Sequence, residues 1–145
     1  MSIKAIYTAH GTSVGGRGGG GTAKTADGAL DVKIDNPAEM GGKGDGVNPE
    51  QLFAIGYSSC YLGAMKFVAG KMTPPVKIAD DASTTAHVSF GPRDDGEGFG
   101  LEVAMDVNLP GVDKAQAQDI ATKAHVVCPY SHATKGNIKV TTNIV

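Results

Sequence analysis

The pattern of hydrophobic and polar positions changes period several times along the chain, and each change marks an element. Over residues 3–13 the two kinds alternate imperfectly, Ile3, Ala5, Tyr7 and Ala9 on one side against Lys4, Ile6 and Thr8, which predicts a strand. Residues 15–21 then gather six glycines around Arg17, a composition that neither helix nor strand favours. Strand-like runs follow at residues 22–25 and 30–35, so the first part reads as a three-stranded meander with a glycine-rich first turn.

After a glycine-rich connector, residues 36–47, a helix start is written into the sequence: Asn48 as N-cap, Pro49 at the first helical position and Gln51 at the capping-box position. The helix should run to about Lys71. Between Leu52 and Val68 its only charge is Lys66, so it is apolar nearly all round and should be buried on most sides. Its uncharged run, residues 51–65, is short for a bilayer span and is interrupted by Ser58 and Ser59. Two small sheets could hardly cover such a helix, which points to a homodimer with two of these helices packed centrally.

Residues 76–90 and 99–109 predict the next strand pair, with Phe99, Leu101, Val103, Met105, Val107 and Leu109 facing inward and residues 91–98 as the turn. Asp113 with Gln116 makes a second cap, and its helix passes Ile120 and Ala124 to about Val127, where Pro129 stops it. Ile138, Val140, Thr142 and Ile144 close the chain as a strand. The order βββ-α-ββ-α-β is α+β with mostly antiparallel sheet around a central buried helix, not alternating βαβ, and residues 1–145 read as a single domain.

Composition narrows the function. The 145 residues are 41% apolar and 19% charged, which excludes disorder as the main theme, and a net charge of −2 with scattered lysines argues against a nucleic-acid surface. The alternating N-terminal pattern lacks the apolar run of a leader, so a cytoplasmic protein without a membrane role is expected. Two cysteines, Cys60 and Cys128, are too few for a disulfide framework; in a reducing compartment they are free thiols, ligands or a transient redox pair.

Cys60 lies deep in the apolar helix, where a buried thiol is inert unless a cation, a helix N-terminus or a metal lowers its pKa. The helix N-terminus is too far away, because its dipole fades within the first turn. Arg17 is the unusual cation: a guanidinium among glycines can swing against a partner, and Glu50 in the first helical turn could hold it by a two-pronged pair. Glu50 and Cys60 stand roughly 15 Å apart along a helix, so an arginine serving both must come from a neighbouring element. Cys128, at the end of the second long helix, pairs with Cys60 only if the fold brings their Cα atoms within roughly 4.4–6.8 Å. Other patterns are weaker. Gly16 to Gly21 formally match a dinucleotide-binding glycine motif but precede a strand, and His125, Cys128 and His132 are spaced as metal ligands without a second half. An apolar-ligand carrier with packed cysteines is the alternative from a different class.

Four separated stretches carry a resemblance. They are Gly15-Gly16-Arg17-Gly18, Asn48-Pro49-Glu50-Gln51-Leu52-Phe53-Ala54, Gly56-Tyr57-Ser58-Ser59-Cys60, and Ala124-His125-Val126-Val127-Cys128-Pro129-Tyr130-Ser131 with Lys135-Gly136-Asn137-Ile138. In order and spacing, over essentially the whole chain, they resemble the organic hydroperoxide resistance (Ohr) family of the OsmC-like superfamily. Gly18 departs from it, standing where an acidic residue is frequent, and Lys135 where an arginine is common. The resemblance implies an intertwined homodimer and a thiol-dependent peroxidase for organic and fatty-acid hydroperoxides that needs no metal or haem. It assigns Cys60 as the peroxidatic cysteine, Cys128 as the resolving one, Arg17 as the thiolate-stabilising cation and Glu50 as its carboxylate partner. The implied reductant is dihydrolipoamide on a lipoylated protein. Leu52, Phe53, Ile55 and Met65, all on the apolar helix, are the expected lining of a pocket for alkyl chains.

Overall fold

A computed structural model of the chain describes residues 2–145, and its contacts divide the chain into two compact units, Met1–Leu52 and Phe53–Val145. The first holds the expected meander: β1 (Gly11–Val14), β2 (Gly21–Thr25) and β3 (Asp31–Ile34) form an antiparallel sheet in that order, with Ser13 opposite Ala23 and Ala23 opposite Val32. Gly21 closes the glycine-rich turn at a point where a Cβ would lie 2.3 Å from the Gly16 carbonyl oxygen, so no side chain fits there. The strand expected over residues 3–13 forms only from Gly11. Ile3, Ile6 and Tyr7 are 86%, 99% and 80% exposed, because an alternating pattern makes a strand only where a neighbouring strand takes its hydrogen bonds. In the connector, the Asp35 carboxylate gathers the backbone N–H groups of Asn36, Lys43 and Asp45.

α1 (Pro49–Lys71) begins with the predicted capping box: Asn48 Oδ1 accepts the Gln51 N–H at 2.9 Å, and Gln51 Oε1 accepts the Asn48 N–H at 2.9 Å. In the second unit β4 (Ser83–Pro92) pairs antiparallel with β5 (Phe99–Asn108), and β6 (Val140–Ile144) joins β5 in parallel. A parallel neighbour needs a crossover, which α2 (Lys114–Val127) and α3 (Pro129–Thr134) supply. Asp113 Oδ1 caps α2 by accepting the Gln116 N–H at 3.0 Å, as the sequence predicts. The fold is α+β, with two small sheets and three helices.

Tyr57, Tyr61 and Met65 of α1 pack with Val103, Met105 and Val107 of β5 and with Ile120, Ala121 and Ala124 of α2 in one buried cluster. The single chain leaves one face of α1 open, in keeping with the expectation that two small sheets could hardly cover it: Ile55 and Phe67 are 64% and 58% exposed, and Ser59 and Gly63 lie exposed between them. Three expectations are corrected here. By length and composition α1 is also apolar enough to cross a bilayer, although six of its residues are buried in the protein. Phe99 faces outward and stacks on Phe90 with ring centroids 4.9 Å apart. Residues 76–82 do not extend β4, since the Val76 N–H is drawn to the Ala69 carbonyl at the end of α1.

Candidate active site

Cys128 sits at a junction the sequence dictates. Pro129 cannot continue α2, yet it suits the first position of a new helix, so Cys128 takes an extended conformation and serves both ends. Its N–H bonds to the Ala124 carbonyl at 2.9 Å, closing α2, and its Sγ accepts the Ser131 N–H at 3.5 Å, capping α3. This turns the sulfur toward α1. Cys60 Sγ lies 3.4 Å from Cys128 Sγ, with Cys128 fully buried and Cys60 half-buried. The two thiols are free, and an S–S bond needs the sulfurs to approach by only about 1.3 Å more.

Burial pushes the Cys60 thiol pKa up, the Tyr130 backbone N–H pulls it down, and Cys128, through its hydrogen bond and its charge, pushes it up again, so the net direction is upward. The side chains of this cluster therefore favour the protonated thiol. The arginine expected to stabilise a thiolate makes the predicted pair in the first unit: Arg17 Nη2 donates to Glu50 Oε1 at 2.5 Å and Nη1 to Oε2 at 3.4 Å. Glu50 reaches it from the first turn of α1, where a carboxylate is also favoured by the helix dipole.

An aromatic frame that sequence reasoning missed surrounds the sulfurs. Tyr130 follows Pro129 at the start of α3, and its ring packs 6.0 Å from Phe53 and 5.8 Å from Tyr57, with Phe53 and Tyr57 meeting edge to face at 5.7 Å. Gly56 makes room for it: a Cβ there would stand 3.1 Å from Tyr130 Oη and 3.2 Å from its Cε2. The signal was present, because Gly56 lies one helical turn before Cys60 and so shares its face.

Behind Cys128 runs a buried polar network. His125 Nδ1 lies 2.8 Å from Ser131 Oγ, its Nε2 lies 2.9 Å from Thr142 Oγ1, and its ring stacks on Tyr61 at 4.4 Å. Tyr57 Oη donates to Ser131 Oγ at 3.1 Å and lies 3.1 Å from Thr134 Oγ1. Tyr61 Oη donates to the Ala121 carbonyl at 2.7 Å, and burial pushes its pKa up to about 12. Burial lowers the pKa of His125, so the ring is neutral at pH 7. Both ring nitrogens are taken by hydroxyls and His132 is exposed, so the spacing of His125, Cys128 and His132 does not become a ligand set. Among the described residues no three His, Cys, Asp or Glu side chains converge on a common centre.

The four expected pocket residues do not act together. Phe53 belongs to the aromatic frame and Leu52 is half-buried, but Ile55 is 64% exposed and Met65 is fully buried in the core. The helix explains it: five positions turn a side chain by about 140°, so Ile55 and Met65 point away from the face that carries Cys60. Two cavities, of about 710 Å³ beside the β4–β5 turn and about 410 Å³ beside the glycine-rich loop, are lined by none of the four.

Comparison with known proteins finds relatives over nearly the whole chain. The family model described as OsmC-like protein matches residues 42–143. An organic hydroperoxide resistance protein of Xanthomonas axonopodis pv. citri is 49% identical, covering 95% of this chain and 94% of its own length. The crystal structure of an organic hydroperoxide resistance protein from Elizabethkingia anophelis superposes with a TM-score of 0.87 at 42% identity, covering 98% of each chain. That of OhrB of Bacillus subtilis does so with 0.85 at 38% identity, over 97% of this chain and all of that one.

Proposed function

The chain belongs to the OsmC-like protein family, in its organic hydroperoxide resistance branch, and from that premise we propose that it is a thiol peroxidase. Its substrates in this reading are organic and fatty-acid hydroperoxides, reduced to alcohols. The observation that carries the proposal is the 3.4 Å separation of two free sulfurs held on different helices.

The Cys60 thiolate attacks the distal peroxide oxygen; the O–O bond breaks, the alkoxide leaves and takes up a proton as the alcohol, and Cys60 becomes a sulfenic acid. The Cys128 sulfur then displaces hydroxide from that sulfenic sulfur, its thiol proton goes with the hydroxide, and water leaves as the disulfide forms. Arg17 supplies the positive charge that draws out the Cys60 thiolate and Glu50 aims it; the two-pronged Arg17–Glu50 pair supports this assignment. Bringing an ordinary thiol from about 8.5 to near 7 asks about 2 kcal/mol of the cation, and the upward push on Cys60 adds to that demand. Phe53 and Tyr130 offer an apolar approach for an alkyl chain. No metal or haem enters these steps.

The reductant in this reading is dihydrolipoamide carried on a lipoylated protein, which returns both thiols by exchange. Cytoplasmic placement and a homodimer complete it, with the exposed Ile3, Ile6 and Tyr7 and the exposed α1 face of Ile55 and Phe67 as the surfaces a second copy would cover. The test is turnover of cumene hydroperoxide with dihydrolipoamide, thioredoxin or glutathione as the electron source. Turnover should require dihydrolipoamide and vanish in Cys60→Ser; equal turnover without Cys60 contradicts the proposal and leaves the apolar-ligand carrier in front.

A further inference from the structure

The network behind Cys128 has a single direction. Thr134 Oγ1 spends its hydrogen on the Tyr130 or Ser131 carbonyl, at 3.0 and 3.2 Å, and Tyr57 donates to Ser131 Oγ. The Ser131 hydroxyl hydrogen therefore points to His125 Nδ1. The neutral ring then carries its hydrogen on Nε2 and donates it to Thr142 Oγ1, and Thr142 bonds on to Tyr61, which ends the chain on the Ala121 carbonyl. Every donor from Tyr57 to Tyr61 finds an acceptor, and the chain ties α1, α2, α3 and β6 together. Ser131 is its joint: the same residue whose hydroxyl His125 fixes gives its backbone N–H to the Cys128 sulfur.

We propose that His125 is a positioning residue for disulfide formation, holding the start of α3 through Ser131 so that Cys128 stays in line with the sulfur of Cys60. The inference rests on the peroxidase reading and concerns only its second step. Cys128 must close the remaining gap within the short life of a sulfenic acid, and a misplacement of about 1 Å at a reacting atom costs up to roughly 100-fold in rate. The ring nitrogens meet the Ser131 and Thr142 hydroxyls, the ring stacks on Tyr61 of α1, and the other titratable groups, Tyr57 of α1 and Cys128, reach the same Ser131. A proton added to Nδ1 would meet the Ser131 hydroxyl hydrogen, so the same arrangement makes disulfide formation slow in acid.

The test is a single turnover of the full chain with cumene hydroperoxide, quenched by alkylation at successive times and read by intact mass, for wild type, His125→Ala, His125→Asn and Ser131→Ala. Loss of the Cys60 thiol should keep its wild-type rate in all four. Disulfide formation should slow by about 10- to 100-fold in His125→Ala and Ser131→Ala, with sulfenic acid accumulating and passing to sulfinic acid under excess peroxide. His125→Asn, whose amide oxygen stands near the Nδ1 position, should recover most of the rate. Ser131→Ala removes one oxygen atom and decides the matter should His125→Ala not fold. Disulfide formation at one rate in all four proteins, or an Asn variant no faster than Ala, overturns this inference alone. A wild-type protein that forms no disulfide overturns the peroxidase reading and this inference with it.

Discussion

The two places where chemistry gathers in this chain are built in opposite ways. Cys60 and Cys128 are held by a packed core, by the helix break at Pro129 and by an aromatic frame, so their geometry is the by-product of burying Tyr57, Tyr61 and Met105. Arg17 stands in a loop of glycines and makes a part-exposed ion pair with Glu50. The first place is determined by folding and resists displacement. The second is set by local turn chemistry, where glycines adopt conformations other residues avoid and a part-exposed pair contributes on the order of 1 kcal/mol or less. The proposed reaction draws on both: two sulfurs kept within reach of each other, and a guanidinium carried on a glycine-rich loop.

The largest test of the contrast is to remove each sulfur in turn. Cys60→Ser should abolish peroxide consumption, whereas Cys128→Ser should still consume one equivalent and stop; both are read by peroxide loss against protein concentration. Next comes a separation of stability from rate. Met105→Ala should lower unfolding free energy by about 2–5 kcal/mol in a denaturant titration, since it opens a cavity in the core that carries the cysteines. Arg17→Ala should leave stability within about 1 kcal/mol yet slow peroxide reduction at pH 7 by roughly 30-fold, the rate equivalent of about 2 kcal/mol. An Arg17→Ala protein as fast as wild type would show that the glycine-rich loop is not part of the chemistry.

The same contrast explains what could be read along the chain. Asn48 with Gln51 and Asp113 with Gln116 were legible because a cap is a bond between residues three apart. The β1–β3 meander and the Arg17–Glu50 pair followed from turn chemistry and charge. The approach of Cys60 to Cys128 was not legible from spacing, since a separation of 68 positions is closed only by tertiary packing, and it entered only through the family resemblance. Reading Pro129 only as a stop hid α3, although a proline that ends one helix also suits the first position of the next. The strand expected over residues 3–13 assumed a neighbour that the single chain supplies only from Gly11, and the burial expected on most sides of α1 was tied to a second copy.

A smaller effect distinguishes the rigid region by pH. Burial lowers the His125 pKa below its ordinary 6.5, so the unfolded chain takes up the proton first as the pH falls. Stability present at neutral pH is therefore lost progressively from about pH 6.5 down to the lowered folded value. Thermal unfolding from pH 7.5 to 5 should show this slope in wild type and a shallower one in His125→Asn; equal slopes would place the sensitivity elsewhere. Smallest is Gly56→Ala. Its helix-propensity gain of about 1 kcal/mol and its crowding of Tyr130 oppose each other, so melting should shift by a few degrees at most while disulfide formation slows.

The central claim, that Cys60 and Cys128 are a working redox pair, is tested most directly by thiol titration with intact mass before and after one equivalent of cumene hydroperoxide. The account predicts that both thiols vanish together and that the protein loses two hydrogen atoms with no oxygen retained. Two surviving thiols at unchanged mass would contradict it.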